Sequence, residues 1–383
     1  MKPCILSIIL VIFVISCTED LSVTPDIQNR NLDSNALSEV SVSPTGQFVW
    51  TAIPNYNDAD GAQCPEYNNI TQEKSFCKVV TISDDIYVFA GSTYNVPRKL
   101  NKTTKQWETF SQAVGNAMRI ALLRGKYLFS YGNKMYTGLW NEDDDGWYPG
   151  IVRSVNQVTG VTTEVAPFPG LNALDFASFA IGTKGYVMGG YTIDTEVMSQ
   201  EFWEYDFIAN TWTNKGTIPG GVRAGASVFV VGNFVYLGLG YSSLDNDYNH
   251  DNHRVYRRDW IKFDPANPTA ITTLQSFPGT RRRNAKGFVL NDKIYLGWGY
   301  GRIVAGTMED VDDFWEYNPE TNAWREKVKC PGNIEVVGNR APFVQGNAGY
   351  VVIGCFSRFW RYSATSAVPV PPGDGPIVQP SNP

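Results

Sequence analysis

Two stretches of the chain are nearly the same: EFWEYDFIANTWTNKGTIPG at residues 201–220 and DFWEYNPETNAWREKVKCPG at residues 313–332. The tetrapeptide FWEY, a later Trp (Trp212 and Trp324) and a closing Pro-Gly all recur at an offset of 112 residues. A repeat at a fixed period indicates a structural unit that cannot bury its apolar surface alone and stacks on copies of itself. The search for further copies therefore decides the fold.

Aromatic and aliphatic runs that end in Gly recur six times, with their final glycines at 91, 132, 190, 240, 299 and 354. Each run follows a second apolar segment and a tight polar turn such as Asn291-Asp292, which is the pattern of a β-hairpin. A third and a fourth strand follow, joined by a turn rich in Asn, Asp, Pro and Thr. Each unit is therefore predicted to be a four-stranded antiparallel sheet, and no helix of useful length is expected.

The units resemble kelch repeats, which close the second strand with a Gly pair and carry Tyr on the third strand and Trp on the fourth. The resemblance covers residues 41–365 and implies an all-β fold, a six-bladed kelch-type β-propeller. Ile271 stands at the Trp position of the fourth unit, and only the third unit has a true Gly189-Gly190 pair. The last unit lacks its Trp strand, whereas residues 43–54 have the pattern of one. We therefore expect an N-terminal strand to complete the sixth blade and close the ring.

Composition agrees with short strands and argues against one class of partner. Aromatic residues make up 13% of the 383 residues, charged residues only 18%, and Gly occurs 35 times. Many aromatic and Gly residues with few charges suit strands joined by tight turns. The net charge of −6 is not that of a concentrated basic surface, so no nucleic-acid partner is expected.

The first residues have the pattern of a lipoprotein signal peptide. Lys2 precedes an almost wholly apolar run at residues 5–15, which is too short to span a bilayer comfortably. The run ends in VISC and resembles the bacterial lipobox, which implies a signal peptide over residues 1–16 and a lipid on Cys17. The alternative is an ordinary signal peptide with an incidental Cys.

A lipid on Cys17 implies an outer-membrane lipoprotein of a Gram-negative bacterium, held to the membrane by its anchor alone. The TED sequence at residues 18–20 resembles the surface-export signal of Bacteroidetes lipoproteins and implies exposure at the cell surface. Residues 17–40 are predicted to be a polar tether. Residues 366–383 are rich in Pro without periodicity and are predicted to be an extended or disordered tail.

Four Cys remain after the signal peptide and Cys17. In an oxidising compartment an even number permits disulfides, and Cys64 and Cys77 bracket a short polar loop, so we predict that they pair. Three pairings of the four remain open, as does the alternative of free, buried thiols. No C-x-x-C spacing indicates a zinc site, and His250 and His253 in one loop are weak support for any metal. Galactose oxidase, a seven-bladed relative, uses His and Tyr for copper, but no Tyr–Cys pair of that kind is evident here, and no metal or cofactor is expected.

Strand order indicates where a ligand would bind. If the strands of a blade are named a, b, c and d from the axis outward, the b–c loops and the d–a connections share one face. Long loops at one end of a rigid scaffold are the usual ligand site. Trp140, Tyr241 and Tyr300 are candidates to stack on a sugar, beside loop carboxylates that suit sugar hydroxyls or calcium. The alternative is solvated loop side chains. The long b–c loops are predicted at 133–151, 191–201, 241–258 and 300–313.

Four arginines are candidates to bind an anion at the mouth of the axial channel. Arg223 and Arg283 come just before a strand a, where the Arg of kelch families often points into the channel. Arg119 and Arg340 are expected further into their strands. Guanidinium groups bind carboxylates with two hydrogen bonds, so a ring of Arg would favour an anionic ligand. The alternative is structural, with each Arg paired to acids or carbonyls between blades.

Two functions fit these features. The first is a monomeric, non-catalytic binding module that presents its loop face to a glycan or a protein. The second is an enzyme similar to the six-bladed sialic acid mutarotase, a family that opens the sugar ring with a carboxylate–Arg pair. The loops share no motif with that family, so no catalytic residue is assigned and the binding module is favoured.

Overall fold

Six four-stranded antiparallel sheets make up most of the protein. The first strands of consecutive sheets contact one another, and the first strand of the last sheet contacts that of the first. The sheets therefore stand around an axis as the blades of a six-bladed propeller, as the repeat predicted. The computed structural model describes residues 48–52, 76–91, 97–104, 107–109, 111–139, 150–171, 173–192, 197–243, 254–302, 308–330, 340–353 and 358–364.

The first half of the chain holds the closing strand and three blades. The closing strand is β1 (Phe48–Ala52), and the first blade consists of β2 (Phe76–Ile82), β3 (Asp85–Gly91), β4 (Arg98–Leu100) and β5 (Trp107–Glu108). Helix α1 (Gln112–Arg124) leads to the second blade, which consists of β6 (Gly125–Tyr131), β7 (Lys134–Leu139), β8 (Val152–Asn156) and β9 (Thr162–Val165). The third blade, with two short extra strands, follows as β10 (Ala173–Leu174), β11 (Ala177–Ile181), β12 (Lys184–Met188), β13 (Tyr191–Thr192), β14 (Glu201–Asp206) and β15 (Thr211–Thr217).

The second half holds the remaining three blades. The fourth blade region comprises β16 (Ser227–Val231), β17 (Phe234–Gly238), β18 (Tyr241–Ser243), β19 (Arg254–Tyr256), β20 (Trp260–Asp264) and β21 (Asn267–Thr273). The fifth comprises β22 (Arg282–Arg283), β23 (Lys286–Leu290), β24 (Lys293–Gly297), β25 (Tyr300–Arg302), β26 (Met308–Asp310), β27 (Phe314–Asn318) and β28 (Ala323–Lys327). The sixth comprises β29 (Arg340–Gln345), β30 (Ala348–Ile353) and β31 (Arg358–Ala364).

The sixth blade is completed by the N-terminal strand. Its sheet has the order β29-β30-β31-β1, and β1 runs antiparallel to β31 with Phe48 opposite Ala364 and Ala52 opposite Trp360. The expectation that an N-terminal strand closes the ring is therefore confirmed. Closure removes the open sheet edges that a linear stack of blades would leave between its first and last members.

Tight hairpin turns connect strands a and b. In the fifth blade Asn291 and Asp292 join β23 to β24 with φ values of 51° and 55°. Positive φ at both central residues is the type I′ geometry that matches the twist of paired strands, and Asn and Asp tolerate it better than other side chains. These residues therefore fix the register in which Leu290 pairs with Lys293.

The apolar core lies between blades. Phe179 from strand a of the third blade packs with Val228 and Val230 from strand a of the fourth, and Phe202 and Phe263 from the c strands belong to the same buried cluster. Equivalent clusters occupy the other boundaries between neighbouring blades. The repeated aromatic residues therefore hold adjacent sheets together, because each sheet alone leaves its apolar faces open to water.

Trp212 and its neighbours attach the third blade to the second. The Trp212 indole N–H donates to the carbonyl oxygen of Ala166 at 3.0 Å. The amide N–H of Ala166 donates to Oδ1 of Asn210 at 2.8 Å, and the same oxygen accepts the hydroxyl of Tyr205 at 2.6 Å. Ala166 directly follows strand d of the second blade, so Trp212 and Asn210 of one blade satisfy both backbone groups of one residue in the preceding blade, and Tyr205 holds Asn210 in place.

The fifth blade repeats this contact on the fourth. Trp324 donates to the carbonyl oxygen of Gln275 at 2.9 Å, and Asn322 Oδ1 accepts both the Gln275 amide and the Tyr317 hydroxyl at 2.8 Å. We call this set of Tyr, Asn and Trp the interblade clamp. It explains why the Tyr and Trp of the doubled stretch recur together, and why an Asn lies two residues before each Trp.

The closing strand provides the Trp of the same clamp in the sixth blade. Trp50 donates to the carbonyl oxygen of Val328 at 3.0 Å and packs against Tyr362, with ring centres 4.9 Å apart. The Tyr362 hydroxyl is buried, and no hydrogen-bond partner for it lies within the described part of the chain. The Asn of the other clamps comes from the c–d turn, and in this blade strands c and d come from opposite ends of the chain. Among the described residues, the clamp of the sixth blade therefore has its Trp and its Tyr but no Asn.

The Glu of FWEY balances charge within its own blade. Glu316 Oε2 accepts the Tyr295 hydroxyl at 3.0 Å, and Lys293 and Lys327 lie at 3.4 Å and 3.2 Å from its carboxylate. Burial opposes ionisation of Glu316, but these contacts hold its pKa below the ordinary value. In the third blade Glu204 stands between two Lys side chains in the same way, at 3.3 Å and 3.6 Å.

Two expectations about the first and second blades are wrong. A helix, α1, connects these blades although none was expected, and it buries Val114 and Met118 against both of them. The run YLFSYG forms strand a of the second blade and not strand b, because Gly132 lies in the a–b turn with a φ of 57°. Strand b is β7, so the b–c loop begins after Leu139 and not at residue 133.

The segments predicted to flank the propeller lie outside the described residues. These are the signal peptide (1–16), the tether (17–40) and the tail (366–383). In the part of the chain that the structure describes, no helix is both long enough and apolar enough to cross a membrane.

Candidate functional site

Short extra strands extend the propeller on the face of the b–c loops, which we call the mouth face. β13 follows strand b of the third blade and pairs with β10, which precedes strand a of that blade. β25 pairs with β22 in the fifth blade in the same way. In the fourth blade β18 pairs with β19, and Tyr241 forms a bridge to Ala224. The b–c loops of three adjacent blades are thus tied to the entrances of their own first strands.

A chain of backbone hydrogen bonds links these entrances around the axis. Asp175, Gly225 and Asn284 occupy the same position just before strand a, with φ values of 55°, 58° and 58°. The Gly225 amide donates to the Asp175 carbonyl oxygen and the Asn284 amide to the Gly225 carbonyl oxygen, each at 2.9 Å. Gly, Asn and Asp are the residues that adopt this left-handed conformation at least cost. The backbone at the mouth of the channel is therefore fixed by these three blades.

Four side chains from three blades meet there and form what we call the mouth cluster: Asp175, Tyr241, Arg254 and Arg283. Arg283 Nη1 lies 3.5 Å from Asp175 Oδ2, and the Tyr241 hydroxyl lies 3.5 Å from the same oxygen. The guanidinium carbons of Arg254 and Arg283 lie 5.0 Å and 5.6 Å from the centre of the Tyr241 ring. Two cationic groups thus share one aromatic ring, which is a favourable contact between cation and π electrons.

Burial divides the mouth cluster into a floor and a surface. Tyr241 is 1% exposed and Arg254 is 9% exposed, so both form the floor. The Asp175 and Arg283 side chains are 10% and 16% exposed and reach solvent. Tyr300 is half-buried, and the Arg283 guanidinium carbon lies 5.5 Å from its ring centre. A carboxylate, a guanidinium and an aromatic ring therefore lie together at the accessible level of the mouth.

One repeated Gly brings these tyrosines next to the strand entrances. Gly240 and Gly299 have φ values of 80° and 96°, and a side chain there would place Cβ 2.5 Å and 2.7 Å from the carbonyl oxygens of Ala224 and Arg283. No side chain fits so close to a backbone oxygen, so this second Gly of the pair is required. The first Gly of the pair is replaced by Leu239 in the fourth blade and by Trp298 in the fifth, and both residues have a positive φ. The residue that follows the required Gly is Tyr in blades three, four and five.

The innermost strands add positive charge beneath the cluster. The six a strands, all of which the structure describes, contain four basic residues and no acidic residue. The basic residues lie within the first three positions of their strands, which is the mouth end: Lys78, Lys126, Lys286 and Arg340. The Lys286 ammonium donates to the Arg340 carbonyl oxygen at 3.0 Å, so two of them are neighbours. The innermost strands therefore carry only positive formal charge, and they carry it near the mouth face.

Comparisons with known proteins agree with this architecture. Kelch-like protein terF of Aspergillus terreus is 27% identical over 190 residues, which cover 45% of this chain and 37% of that protein. A solved structure described as "Structure of YjhT" superposes with a TM-score of 0.56 at 13% identity and covers 74% of this chain and 90% of that one. The chain folds as a six-bladed propeller with kelch-type blades. No family model matches it.

Two further relatives are sugar enzymes. The N-acetylneuraminate epimerase of Pasteurella multocida is 25% identical over 145 residues, which cover 38% of this chain and 34% of the epimerase. The enzyme of the same name from Escherichia coli strain K12 is 27% identical over 113 residues, which cover 28% of this chain and 31% of that enzyme. The chain thus matches well under two thirds of the length of each curated relative.

The kelch arginines before strand a form ion pairs within their own blades, and their guanidinium groups do not reach the mouth cluster. Arg223 Nη2 donates to Asp259 Oδ2 at 2.6 Å, and Arg282 Nη2 donates to Asp313 Oδ2 at 2.6 Å. Both guanidiniums are fully buried. Each Asp stands just before a strand c, so the pairs are equivalent in the fourth and fifth blades. Arg223 is thus paired to an acid, as in the structural alternative that the sequence left open, but that acid belongs to the same blade.

Arg282 was not predicted from the sequence to be a functional or structural Arg, although the repeat places it at the position equivalent to Arg223. Pro219-Gly220 and Pro278-Gly279 are offset by 59 residues, and the same offset carries Arg223 to Arg282 and not to Arg283. Arg283 therefore occupies the next position, from which it reaches the mouth cluster. Asp175 and Arg254, the other members that the sequence did not single out, lie at positions that only the strand pairing brings together.

A second guanidinium strengthens the pair in the fourth blade. Arg257 Nε donates to Asp259 Oδ1 at 2.9 Å, opposite the oxygen that Arg223 binds. Burial works against the charge on Asp259, but the two guanidiniums together hold its pKa below the ordinary value. Burial also lowers the pKa of Arg223, and Asp259 opposes that effect. Removing one member of such a buried pair leaves a charge without compensation, so these residues stabilise the ring and are unavailable to a ligand.

The remaining candidates are placed as follows. Arg119 lies in helix α1 and not in a strand as expected. Arg340 begins β29, and its guanidinium carbon lies 5.2 Å from the centre of the Trp298 ring. Four of the residues discussed from the sequence lie outside the described ranges: Trp140, His250, His253 and Cys64, the predicted disulfide partner of Cys77. Within the described ranges, no group of three or more His, Cys, Asp or Glu side chains is placed to hold a metal ion.

Proposed function

We propose that this protein is a cell-envelope binding module that takes an acidic sugar, free or within a glycan, at its mouth face. The observation that carries the proposal is the mouth cluster above strands that contribute basic residues and no acidic ones. A guanidinium binds a carboxylate with paired, charge-assisted hydrogen bonds. The ring of Tyr300 beside Arg283 supplies an apolar surface for the C–H face of a sugar. Both requirements of an acidic sugar are met at one opening.

The contact between Arg283 and Asp175 supports exchange with a ligand. Its shortest distance, 3.5 Å, is long for a charge-assisted hydrogen bond, and both side chains reach solvent. A ligand carboxylate therefore has access to the Arg283 guanidinium from the solvent side of this pair. Arg223 and Arg282, in contrast, are fully buried in their ion pairs and could not bind a ligand without breaking those pairs.

We propose in addition that a lipid on Cys17 holds the propeller to the outer membrane. The support is the apolar run at residues 5–15 followed directly by VISC. The described domain starts at Phe48, which leaves room for the polar segment 17–40 between lipid and propeller. Palmitate labelling of the wild type and of Cys17→Ser tests this proposal, because only a lipidated Cys17 gives a label that the substitution removes.

A sugar mutarotase or epimerase is the second candidate. The similarity to N-acetylneuraminate epimerases favours it, although each match covers only part of the enzyme. Such a reaction needs a base within hydrogen-bond reach of the anomeric hydroxyl. In the described part of the mouth, Asp175 is a carboxylate next to a guanidinium and would serve as that base. NMR of freshly dissolved sugars tests this candidate: catalysed anomer exchange that Asp175→Asn removes would establish it.

Thermal unfolding in the presence of sugars tests the binding proposal. At about 100 times its Kd, a ligand stabilises the folded state by about 2.7 kcal/mol, which corresponds to a rise in Tm of roughly 5 °C for a domain of this size. N-acetylneuraminate and a uronate are compared with neutral galactose and with an acidic peptide. We expect an acidic sugar to raise Tm and Arg283→Ala to abolish the rise.

Arg153→Ala is the matched control, because Arg153 is an exposed Arg on the second blade that pairs with Glu164 at 3.1 Å. The rise in Tm should persist in this variant. A rise that survives Arg283→Ala would place the sugar elsewhere. A rise caused by the acidic peptide alone would make the ligand a protein.

A further inference from the structure

Arginines are concentrated beside the mouth cluster, where the fourth and fifth blades adjoin. Two described segments meet there, residues 254–259 and 279–284, and together they contain a single acidic residue, Asp259. Their six basic residues are all arginines: Arg254, Arg257, Arg258, Arg281, Arg282 and Arg283. This part of the mouth face therefore carries a strong excess of positive charge on a chain whose net charge is −6.

Four of these six guanidinium groups are engaged inside the protein. Three lie beside an Asp, and that of Arg254 lies over the ring of Tyr241. The other two belong to Arg258 and Arg281, which we call the outer arginines. Both are exposed, and neither forms an ion pair with a carboxylate in the part of the chain that the structure describes. Their hydrogen-bond donors are therefore accessible to a ligand.

Arg281 and Arg283 reach the same side of the entrance to the fifth blade. Side chains alternate along extended backbone, so the buried Arg282 between them faces its own blade and they face the hairpin of β18 and β19. Arg281 Nη1 donates to the Tyr256 carbonyl oxygen at 3.3 Å, and Arg283 lies over the ring of Tyr241. Tyr241 and Tyr256 pair across that hairpin. One hairpin therefore supports both guanidinium groups, one within the mouth cluster and one just outside it.

Arg258 continues the positive charge toward the rim of the propeller. Its carbonyl oxygen accepts the Phe277 amide at 2.8 Å. Phe277 follows strand d of the fourth blade, which is the outermost strand, and the chain then runs inward to strand a of the fifth blade. Along this connection the contact with Arg258 comes first, then Arg281, and Arg283 last. The three arginines thus form a line from the rim to the mouth cluster.

We propose that the outer arginines bind a second acidic sugar of a glycan whose first acidic sugar lies at the mouth cluster. This inference rests on the proposed function, because it extends the same ligand outward from Arg283. A monosaccharide with one carboxylate leaves the outer arginines in water. A glycan with carboxylates on two or more sugars offers one to each end of the line, and a guanidinium binds each with paired hydrogen bonds. The ligand class is therefore an acidic oligosaccharide such as an oligo-uronate.

Calorimetric titration with galacturonate, its dimer and its trimer tests this proposal. In the wild type we expect the trimer to bind at least about tenfold more tightly than the monomer, because a second charge-assisted contact is added. Arg258→Ala and Arg281→Ala should each reduce this advantage, and the double variant should remove it. The affinity for the monomer should stay the same in all three variants. Because both side chains are exposed, the Tm of the unliganded protein should not change.

Arg325→Ala is the matched control, because Arg325 is an exposed Arg on strand d of the same fifth blade. This variant should keep the full advantage of the trimer.

The outcomes separate this inference from the proposal on which it rests. Equal affinity for monomer and trimer in the wild type, or an advantage that survives the double variant, overturns the inference while binding of an acidic sugar at Arg283 stands. If acidic sugars of every length fail to bind and fail to raise Tm, the proposed function falls and the inference with it. A hexaglutamate peptide that binds more tightly than the trimer, and loses this binding in the double variant, would assign the outer arginines to an acidic protein instead.

Discussion

Asn322→Ala should destabilise the propeller by about 2–3 kcal/mol. The substitution removes two hydrogen bonds of the interblade clamp, from the Gln275 amide and the Tyr317 hydroxyl, each at 2.8 Å. Each is worth about 1 kcal/mol net. Asn322 also has a φ of 50°, and Ala in this conformation costs roughly 1 kcal/mol. The two effects add, because one concerns the side-chain oxygen and the other the backbone.

Two companion variants separate these effects in urea unfolding followed by Trp fluorescence. Asn322→Gly loses the hydrogen bonds but tolerates the positive φ, so it should cost about 1–2 kcal/mol. Asn318→Ala removes only a bond within the turn, to the Glu320 amide at 2.9 Å, and should cost less than either. If Asn322→Gly unfolds at the same urea concentration as the wild type, the clamp contributes nothing to stability and the reasoning is refuted.

Three further predictions concern closure, backbone and charge, all measured by urea unfolding. Trp50→Ala and Trp324→Ala should each cost about 3 kcal/mol, because both side chains fill a blade boundary. A loss under about 1 kcal/mol for Trp50→Ala would show that the ring does not depend on its closing strand. Gly240→Ala should cost more than Gly232→Ala, since both have positive φ but only position 240 meets a carbonyl oxygen; equal costs would contradict this. The pKa of Glu316 is lowered in the folded state, so its contribution is complete above pH 4.5 and is lost as pH falls below it. Glu316→Gln should therefore lose less stability than the wild type on acidification, and parallel losses would refute it.

Repetition made the fold readable from the sequence. The Trp and Tyr positions of the doubled stretch predicted the blades, and the isolated pattern around Trp50 predicted the closure that the pairing with β31 confirms. The two errors arose where a copy departs from the pattern. The run YLFSYG was predicted to be strand b of the second blade but is strand a, because its Gly132 belongs to the a–b turn. Helix α1 was missed because it lies in a connection between blades, and the described connections from the second blade to the fifth contain no helix.

The candidate site was harder to predict from the sequence than the fold was, for a physical reason. Its members come from three blades and meet only because successive strand entrances are linked around the axis. Tyr241 and Arg283 were singled out, but Asp175 and Arg254 were not, since neither belongs to a local motif. A one-residue difference also separates two environments: Arg282 is buried in an ion pair, whereas its neighbour Arg283 reaches the mouth.

Ring closure sets an order of events during biosynthesis. The contact between Trp50 and Val328 joins residues 278 positions apart. The strand that contains Trp50 is therefore synthesised early but cannot pair until the C-terminal strands have been made. Contacts of such sequence separation form slowly, and the waiting strand and the open fifth blade expose apolar surface meanwhile. If the chain crosses a membrane N-terminus first, the ring cannot close until its C-terminal strands have also crossed. Periplasmic chaperones that hold unfolded chains would then act on this protein over most of its translocation.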